Sequence, residues 1–177
     1  MKIRRYRETD FKGVLDTIND AARAYEGHIP ADCYHTPYMT DSYLASEIDD
    51  GVEFWCTENE GRITGVMGIQ DRGELFLIRH AYIRTSIRRS GVGSRLLKKL
   101  LEHSTLPFLI GTWKGAPWAV DFYQKHGFET VTEEEKELLL RTYWDLPERQ
   151  VETSHVLGDA VFLDSPILEK IRNKSFR

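Results

Sequence analysis

The sequence predicts a mixed α+β domain whose core is one mostly antiparallel β-sheet. Three runs rich in aromatic and β-branched residues, at 52–57, 63–70 and 74–83, follow one another across short turns that contain Gly. This spacing is typical of an antiparallel meander. A strongly amphipathic segment separates the third run from a fourth at 107–113, and a strand–helix–strand order predicts one parallel pair of strands. The sheet is therefore expected to be antiparallel except where these last two runs pair.

The totals of the sequence favour one ordinary globular domain. The chain has 177 residues, of which 41% are hydrophobic and 29% are charged, as is usual for such domains. No apolar run approaches the ~20 residues of a membrane span, and the N-terminus lacks the apolar core of a secretory signal. We therefore expect a cytoplasmic protein with no membrane partner, in which Cys33 and Cys56 are thiols. The net charge of −4 argues against a nucleic-acid partner.

The segments before the meander predict one strand and two helices. Residues 3–6 suit a first strand, and apolar residues recur every three or four positions from Phe11 to Tyr25, which predicts a helix with one buried face. The aromatic and Pro-containing stretch 27–40 has no period and is predicted to be a structured loop. A shorter helix is expected to begin at Thr40 or Asp41.

The second half predicts two helices and two strands before a tail. Pro117 is well placed in the first turn of a helix over 118–126, and Thr132 with Glu135 forms a capping-box pattern for a helix that ends near position 143. Strands are expected at 128–131 and at 149–157.

We assign residues 1–158 to a single domain and residues 159–177 to a C-terminal tail. Three possibilities remain open for this tail. It packs through Phe162 and Leu163, it forms a short helix over 167–171, or it is partly loose.

The stretch 75–101 contains a pattern that favours phosphate binding. A strand passes through a basic turn into a helix that opens at Gly91-Val92-Gly93. Such a turn leaves backbone N–H groups without partners at the positive end of the helix dipole, and Gly lets a phosphate approach the backbone closely. Arg88 and Arg89 add positive charge nearby, and Arg84 is a further candidate for this role. The alternative is an ordinary helix start with solvated arginines. The residues predicted to bind phosphate are Arg88, Arg89, Ser90, Gly91, Val92, Gly93 and Ser94.

Two motifs make the chain resemble the GNAT superfamily of N-acetyltransferases, in particular a bacterial subgroup of unknown substrate. The first is the acyl-CoA-binding pattern of Arg or Gln followed by x-x-G-x-G or x-x-G-x-A, which here is RRSGVG at 88–93. The second is the family's F-Y-x-K-x-G-F, which here is FYQKHGF at 122–128. Both stand in the strand and helix context that the family requires, and the resemblance covers residues 2 to about 157.

The resemblance implies a GNAT-like sheet of about six or seven strands with helices on both faces, and acetyl-CoA as co-substrate. It implies that the pantetheine arm pairs with the fourth strand at Ala81 and Ile83, and that a backbone N–H near Ala81 or Tyr82 binds the acetyl oxygen. It also implies that Tyr123 is the general acid that protonates the CoA thiolate. The alternative for Tyr123 is a core aromatic residue on an amphipathic helix.

The general base is the least defined part of this expectation. Some GNAT enzymes carry a Glu in the middle of the fourth strand, where this sequence has Leu77 unless a bulge shifts the register. His80 is the candidate replacement, since it titrates near neutral pH. The alternatives are a structural His80 paired with Glu74 or Glu152, and a chain of waters that carries the proton to solvent.

In the resembled fold the acceptor site is lined by the loop between the first two helices and by the late strands. The candidate substrate residues here are Tyr34, His35, Tyr38 and Trp113. They suggest a compact acceptor with an apolar or cationic part, although the aromatic residues could equally serve to hold the loop in place. No metal is expected, because the six histidines lack paired ligand spacing.

The resulting prediction is an acetyl-CoA-dependent N-acetyltransferase that acts on the primary amine of a small molecule or amino acid. Direct attack in a ternary complex is favoured, because neither cysteine lies near the motifs. The alternatives are an enzyme that acetylates a protein N-terminus or lysine, and a non-catalytic acyl-CoA sensor. The assembly is left open between a monomer and a homodimer.

Overall fold

The structure is a computed structural model, and it describes residues 1–175. Seven strands form one sheet in the order β1-β2-β3-β4-β5-β7-β6, with only β4 and β5 parallel among the described pairs. This confirms the predicted mostly antiparallel sheet of about six or seven strands. The strands are β1 Lys2–Arg5, β2 Val52–Asn59, β3 Arg62–Asp71, β4 Phe76–Ile83, β5 Phe108–Trp113, β6 Glu129–Thr130 and β7 Ser154–Gly158.

Helices cover both faces of the sheet, as expected. The α-helices of the described chain are α1 Phe11–Ala22, α2 Asp41–Asp49, α3 Val92–Leu101, α4 Pro117–Gln124, α5 Glu133–Tyr143, α6 Glu148–Glu152, α7 Ala160–Leu163 and α8 Pro166–Ser175. Helices α3 and α4 share one apolar cluster with Ile69, Ile78 and Ile110. The opposite face packs against α1 and α2 at one end of the sheet and against α5, α7 and α8 at the other.

Local sequence chemistry explains where three of the helices begin. The hydroxyl of Thr40 accepts the N–H of Tyr43 at 3.2 Å and starts α2. Thr132 and Glu135 form the predicted capping box of α5, and Pro117 occupies the first turn of α4. Two of these helices, α2 and α4, carry residues of the candidate site.

The parallel pair opens into a gap. Strands β4 and β5 pair only where residues 76–78 face residues 108–110. Beyond Ile78, β4 continues its pairing with β3, and beyond Ile110, β5 continues its pairing with β7. In the described chain, the later halves of β4 and β5 therefore leave their facing edges without a strand partner.

A β-bulge lies in β4 next to this gap. Val66 pairs with Tyr82 and Gly68 pairs with Arg79, so Met67 alone faces both His80 and Ala81. His80 has a φ of 51°, in the left-handed region that His tolerates better than most residues. The bulge interrupts the alternation of the strand, so the side chains of Arg79 and His80 both reach α2. The bulge does not place a glutamate in the middle of β4. Leu77, which stands where some GNAT enzymes carry that glutamate, is fully buried in the core.

The predicted last strand at 149–157 is wrong in its first half. Residues Glu148–Glu152 form α6, because the Pro147 carbonyl accepts the N–H groups of Gln150 and Val151 and begins a helical turn. The strand itself is Ser154–Gly158. Hydrogen bonding of this local kind is not visible in the apolar pattern of the segment.

The described part of the predicted tail packs on the domain. Phe162 is fully buried, and Ile167, Leu168 and Ile171 of α8 join the cluster that contains Leu139 of α5. Both packed alternatives for this segment are therefore present together, and the helix starts at Pro166. The last two positions of the predicted tail, 176 and 177, lie outside the described residues.

Candidate active site

A cavity of about 630 Å³ occupies the gap between β4 and β5. Ile78 and Ile110 lie at the point where the two strands separate, and Arg79 to Tyr82 form one wall. The loop between α1 and α2 and the segment 144–150 contribute the remaining sides. The cavity therefore collects residues from four regions that are distant in the sequence.

Tyr123 reaches this cavity from α4. Its side chain is only 3% exposed and packs against Phe122 and Phe128, with ring centroids 5.1 and 5.6 Å away. Burial, with a further contribution from Tyr25, raises the pKa of the Tyr123 phenol well above its ordinary value. The hydroxyl consequently stays protonated at neutral pH and is available as a hydrogen-bond donor.

His80 and Arg79 meet a carboxylate that comes from α2. The Oε2 atom of Glu47 lies 2.5 Å from His80 Nε2 and 2.6 Å from Arg79 Nη2. Arg79 also donates to the Gln70 side-chain oxygen at 2.7 Å. All three side chains of this Glu47–Arg79–His80 group are nearly buried, so the carboxylate and the guanidinium form a desolvated ion pair beside the imidazole.

The protonation states of this group follow from its surroundings. Burial opposes ionisation of Glu47, but the hydrogen bonds and charges of His80 and Arg79 outweigh it and lower the pKa of the carboxyl. Burial lowers the pKa of His80, although Glu47 acts in the opposite direction. The state at neutral pH is an ionised Glu47 with a neutral His80. Because the carboxylate only accepts, His80 Nε2 carries the proton and Nδ1 keeps a free lone pair.

The expected partners of His80 were wrong, and Glu47 was missed. Glu74 accepts the hydroxyl of Tyr143 at 2.5 Å, and Glu152 lies 3.5 Å from Arg149. A signal for Glu47 was present, since it stands three positions after Leu44 on the buried face of α2. A carboxylate on the apolar face of a helix requires a partner, and this one has two.

The turn predicted to bind phosphate enters α3 through a left-handed backbone. Gly91 has a φ of 76° and Arg89 a φ of 62°. The Arg95 N–H donates to the Gly91 carbonyl, so the amides of residues 92–94 precede the first helical hydrogen bond and point out of the helix start. Ser90 Oγ donates to the Ile87 carbonyl at 2.6 Å, which holds the turn in shape.

The three arginines in and before this turn differ in exposure and in their hydrogen-bond partners. Arg89 is exposed. Arg88 is also exposed, and its Nη2 donates to the Ala21 carbonyl at 2.8 Å. Arg84 is buried, and its Nε donates to the Ile63 carbonyl at 2.8 Å. The Arg84 side chain is therefore bound to β3. Arg88 and Arg89 are the two arginines at the surface of the turn.

Gly93 lies where α3 meets α4 and β4. A Cβ added there would stand 3.4 Å from the Phe122 ring and 3.6 Å from Ile83. Beside it, a groove of about 530 Å³ runs along α3 past Ser94, Arg95 and Lys98. Ser94 thus belongs to both the turn and the groove, and Gly93 brings the turn next to Ile83 at the end of β4.

Aromatic side chains line the other end of the cavity. Trp113 Nε1 donates to the Tyr38 hydroxyl at 3.0 Å, and both residues line the cavity together with His35. Tyr34 packs against the ring of Tyr38, with centroids 6.2 Å apart. Three of the four predicted substrate residues, His35, Tyr38 and Trp113, thus line the cavity, whereas Tyr34 does not line it and packs on Tyr38. The side chain of Tyr82 from β4 also lines the cavity.

A model of the acetyltransferase (GNAT) domain matches residues 16–141 of the sequence. That segment is more than half of the chain and includes both motifs. The chain belongs to the GNAT acetyltransferase family. It is thus an acetyl-CoA-dependent N-acetyltransferase, as the resemblance predicted. No curated protein matches the sequence.

Solved structures share the fold of this GNAT enzyme. A GNAT-family acetyltransferase from Staphylococcus aureus Mu50 gives a TM-score of 0.68 at 14% identity, over 90% of this chain and 98% of that chain. PaiA N-acetyltransferase from Thermoplasma acidophilum, solved in complex with coenzyme A, gives 0.67 at 13%, over 89% and 97%. Ribosomal-protein-alanine N-acetyltransferase from Brucella melitensis gives 0.61 at 16%, over 89% and 98%.

An ion pair joins the two segments at the aromatic end of the GNAT cavity. Arg149 Nε of α6 lies 3.0 Å from Asp32 Oδ2 of the loop before α2. Both residues line the cavity and both are more than half exposed, so the pair contributes little to stability. Its effect is on the charge of the cavity wall, because Asp32 and Arg149 neutralise each other.

Two further observations concern the described residues as a whole. No group of three or more His, Cys, Asp or Glu side chains among residues 1–175 is arranged to hold a metal ion. None of the helices found in that range combines the length and the apolar character needed to cross a bilayer.

Proposed function

We propose that this GNAT enzyme acetylates the primary amine of a small molecule by direct attack in a ternary complex. The observation that carries the proposal is the cavity between β4 and β5. It is reached by Tyr123 from one side, by His80 from another and by the unpaired edge of β4 along its length. Those are a proton donor, a proton acceptor and a row of backbone hydrogen-bonding groups around one space.

The helix start of α3 and the open edge of β4 carry groups that suit acetyl-CoA. The turn 88–94 offers free amides and two surface arginines to a pyrophosphate, and the groove along α3 continues from it. The pantetheine arm carries two amides, so the β4 edge at Ala81 and Ile83 suits it as a strand-like partner. The thioester would then reach the bulge, where a backbone N–H near Ala81 or Tyr82 is assigned to the acetyl oxygen.

The proton transfers follow from the two titratable groups. The amine nitrogen forms a bond to the thioester carbon, and the tetrahedral intermediate collapses by breaking the carbon–sulfur bond. His80 takes the proton of the amine on Nδ1, while Nε2–H stays bonded to Glu47. Tyr123 gives its proton to the departing CoA thiolate and recovers one from solvent.

A small acceptor is favoured over a protein because the aromatic end of the cavity is bridged. The loop before α2 and the segment 144–150 approach each other closely enough for Asp32 and Arg149 to pair. A peptide acceptor needs a groove that runs past the reacting centre at both ends. Acetylation of a protein N-terminus or lysine remains the alternative acceptor class.

The test is CoA release from acetyl-CoA, followed with a thiol reagent across a panel of small amines and peptides. Turnover of small amines alone supports the proposal, and preferential turnover of peptides contradicts it. Thermal unfolding is measured in parallel, since acetyl-CoA at about a hundred times its Kd stabilises by ~2.7 kcal/mol. A stabilised protein that turns over no amine or peptide would instead be the acyl-CoA sensor.

A further inference from the structure

The acceptor side of the cavity has an uncharged aromatic wall. The rings of Tyr25, Tyr38 and Tyr82 stand 5.4–6.4 Å apart, centroid to centroid. Burial is the largest cause that raises the pKa of all three phenols. They are neutral at physiological pH, so the wall offers ring faces and hydroxyl groups and no anion.

The charged side chains of the cavity are already paired. Among the residues that the structure describes, those lining the cavity besides its two histidines are Asp32, Arg79 and Arg149. Arg79 is bound to Glu47, and Arg149 is bound to Asp32. A carboxylate on the acceptor would therefore find no unpaired cation in the cavity, and its desolvation would be uncompensated, which is costly.

We infer that the acceptor is a compact amine whose body carries no anionic group and is apolar or aromatic. This inference rests on the proposed N-acetyltransferase function and narrows it, because it excludes amino acids. The ammonium group is attracted to the tyrosine faces before it loses a proton. The body must be compact, because the pantetheine arm takes part of the 630 Å³.

The experiment compares amines that differ by one charge. Phenethylamine is set against phenylalanine, and butylamine against 4-aminobutanoate, with acetyl-CoA at saturation. For each pair, the amine without a carboxylate is expected to give a kcat/KM at least about tenfold higher. An equal or higher kcat/KM for phenylalanine or 4-aminobutanoate would overturn the inference.

Calorimetric binding of the same amines to the CoA-saturated protein separates this inference from the proposed function. If the amines bind with the expected preference and no CoA is released, the proposed function fails and the acceptor class stands. If CoA is released but the preference is absent, the acceptor class fails and the activity stands. Failure of all four amines to bind would overturn the acceptor class.

A variant tests the charge argument directly. Asp32→Asn leaves Arg149 without its cavity carboxylate, so the ratio of phenylalanine to phenethylamine turnover should rise about tenfold. The matched control is Glu148→Gln on α6. It also removes one negative charge, but Glu148 pairs with Arg141 rather than with Arg149. An unchanged ratio in Asp32→Asn, or an equal rise in the control, would contradict the inference.

Discussion

The Oε2 atom of Glu47 lies 2.5 Å from the Nε2 atom of His80, although 33 positions separate the two residues. Glu47 is on the buried face of α2, and His80 is at the β4 bulge with a φ of 51°. The bulge is what brings them together, because regular alternation would direct His80 away from Arg79 and α2. A strained backbone position thus aligns an imidazole with an ionised carboxylate beside the open strand edge.

His80→Asn should remove the imidazole without changing the backbone conformation at position 80. Asn tolerates the left-handed conformation, so the bulge is retained while the titrating imidazole is lost. We expect kcat/KM to fall by about a hundredfold, in the range of general-base effects, with little change in the Kd of acetyl-CoA. CoA release and calorimetry measure the two quantities. Retention of full activity would show that water carries the proton.

Glu47→Gln should change the pH profile as well as the rate. The amide still accepts a hydrogen bond, but it no longer opposes the lowering of the His80 pKa by burial. The pKa of His80 therefore falls further, and the acid limb of kcat/KM should move to lower pH, with a loss of about tenfold in kcat. A pH series of kcat/KM provides the measurement.

The control for this variant is Asp49→Asn, which removes a carboxylate from an exposed position on the same helix. It should leave both the rate and the acid limb in place. A loss of stability alone does not shift the acid limb of kcat/KM. If that limb stays at the wild-type pH in Glu47→Gln, Glu47 has a structural role only.

Tyr123→Phe tests the proton donor. The ring keeps its contacts with Phe122 and Phe128, so stability should change little while kcat falls by ~10–100-fold. The raised pKa of Tyr123 also predicts that wild-type activity has no basic limb at the ordinary pKa of a tyrosine. Tyr6→Phe, at a residue that does not line the cavity, is the matched control. A full rate in Tyr123→Phe would refute the assignment.

The two glycines of the phosphate turn should respond differently to Ala. Gly91→Ala places a side chain at a φ of 76° and should cost about 1 kcal/mol of stability. Gly93→Ala only brings a Cβ into ordinary contact with Phe122, but it narrows the approach to the helix start. We expect near-normal unfolding and about tenfold weaker acetyl-CoA binding for Gly93→Ala. Unaltered binding in both variants would place the phosphates elsewhere.

The sequence was most informative where chemistry is local. The capping box at Thr132, the turn at Gly91 and the FYQKHGF motif each predicted an element or a position within a few residues. The pairing of Glu47 with His80 was not predicted, because it depends on a single-residue bulge and on the packing of α2 over β2 and β4. The helical turn after Pro147 was missed for a similar reason, as its apolar pattern also fits a strand.

Stability should depend on pH through Glu133. Its Oε1 lies 2.6 Å from the Nζ of Lys136, which is 1% exposed, and 2.7 Å from the Nζ of Lys114. Hydrogen bonds from Lys114 and Lys136 lower the pKa of the Glu133 carboxyl from 4.5 to about 2. Because the folded pKa is lowered, the stabilisation is complete above pH 4.5 and is lost as the pH falls toward 2.

Glu133→Gln should therefore unfold more easily at neutral pH, and its deficit should shrink as the pH falls below 4.5. The Glu133 side chain is 53% exposed, so solvent screening reduces the deficit to about 1 kcal/mol. Urea unfolding at a series of pH values measures it. Glu134→Gln is the matched control, since it makes the same change in the exposed first turn of α5 and cancels the helix-dipole effect. A deficit that is constant with pH, or equal in the control, would mean that the two lysines do not stabilise the fold through Glu133.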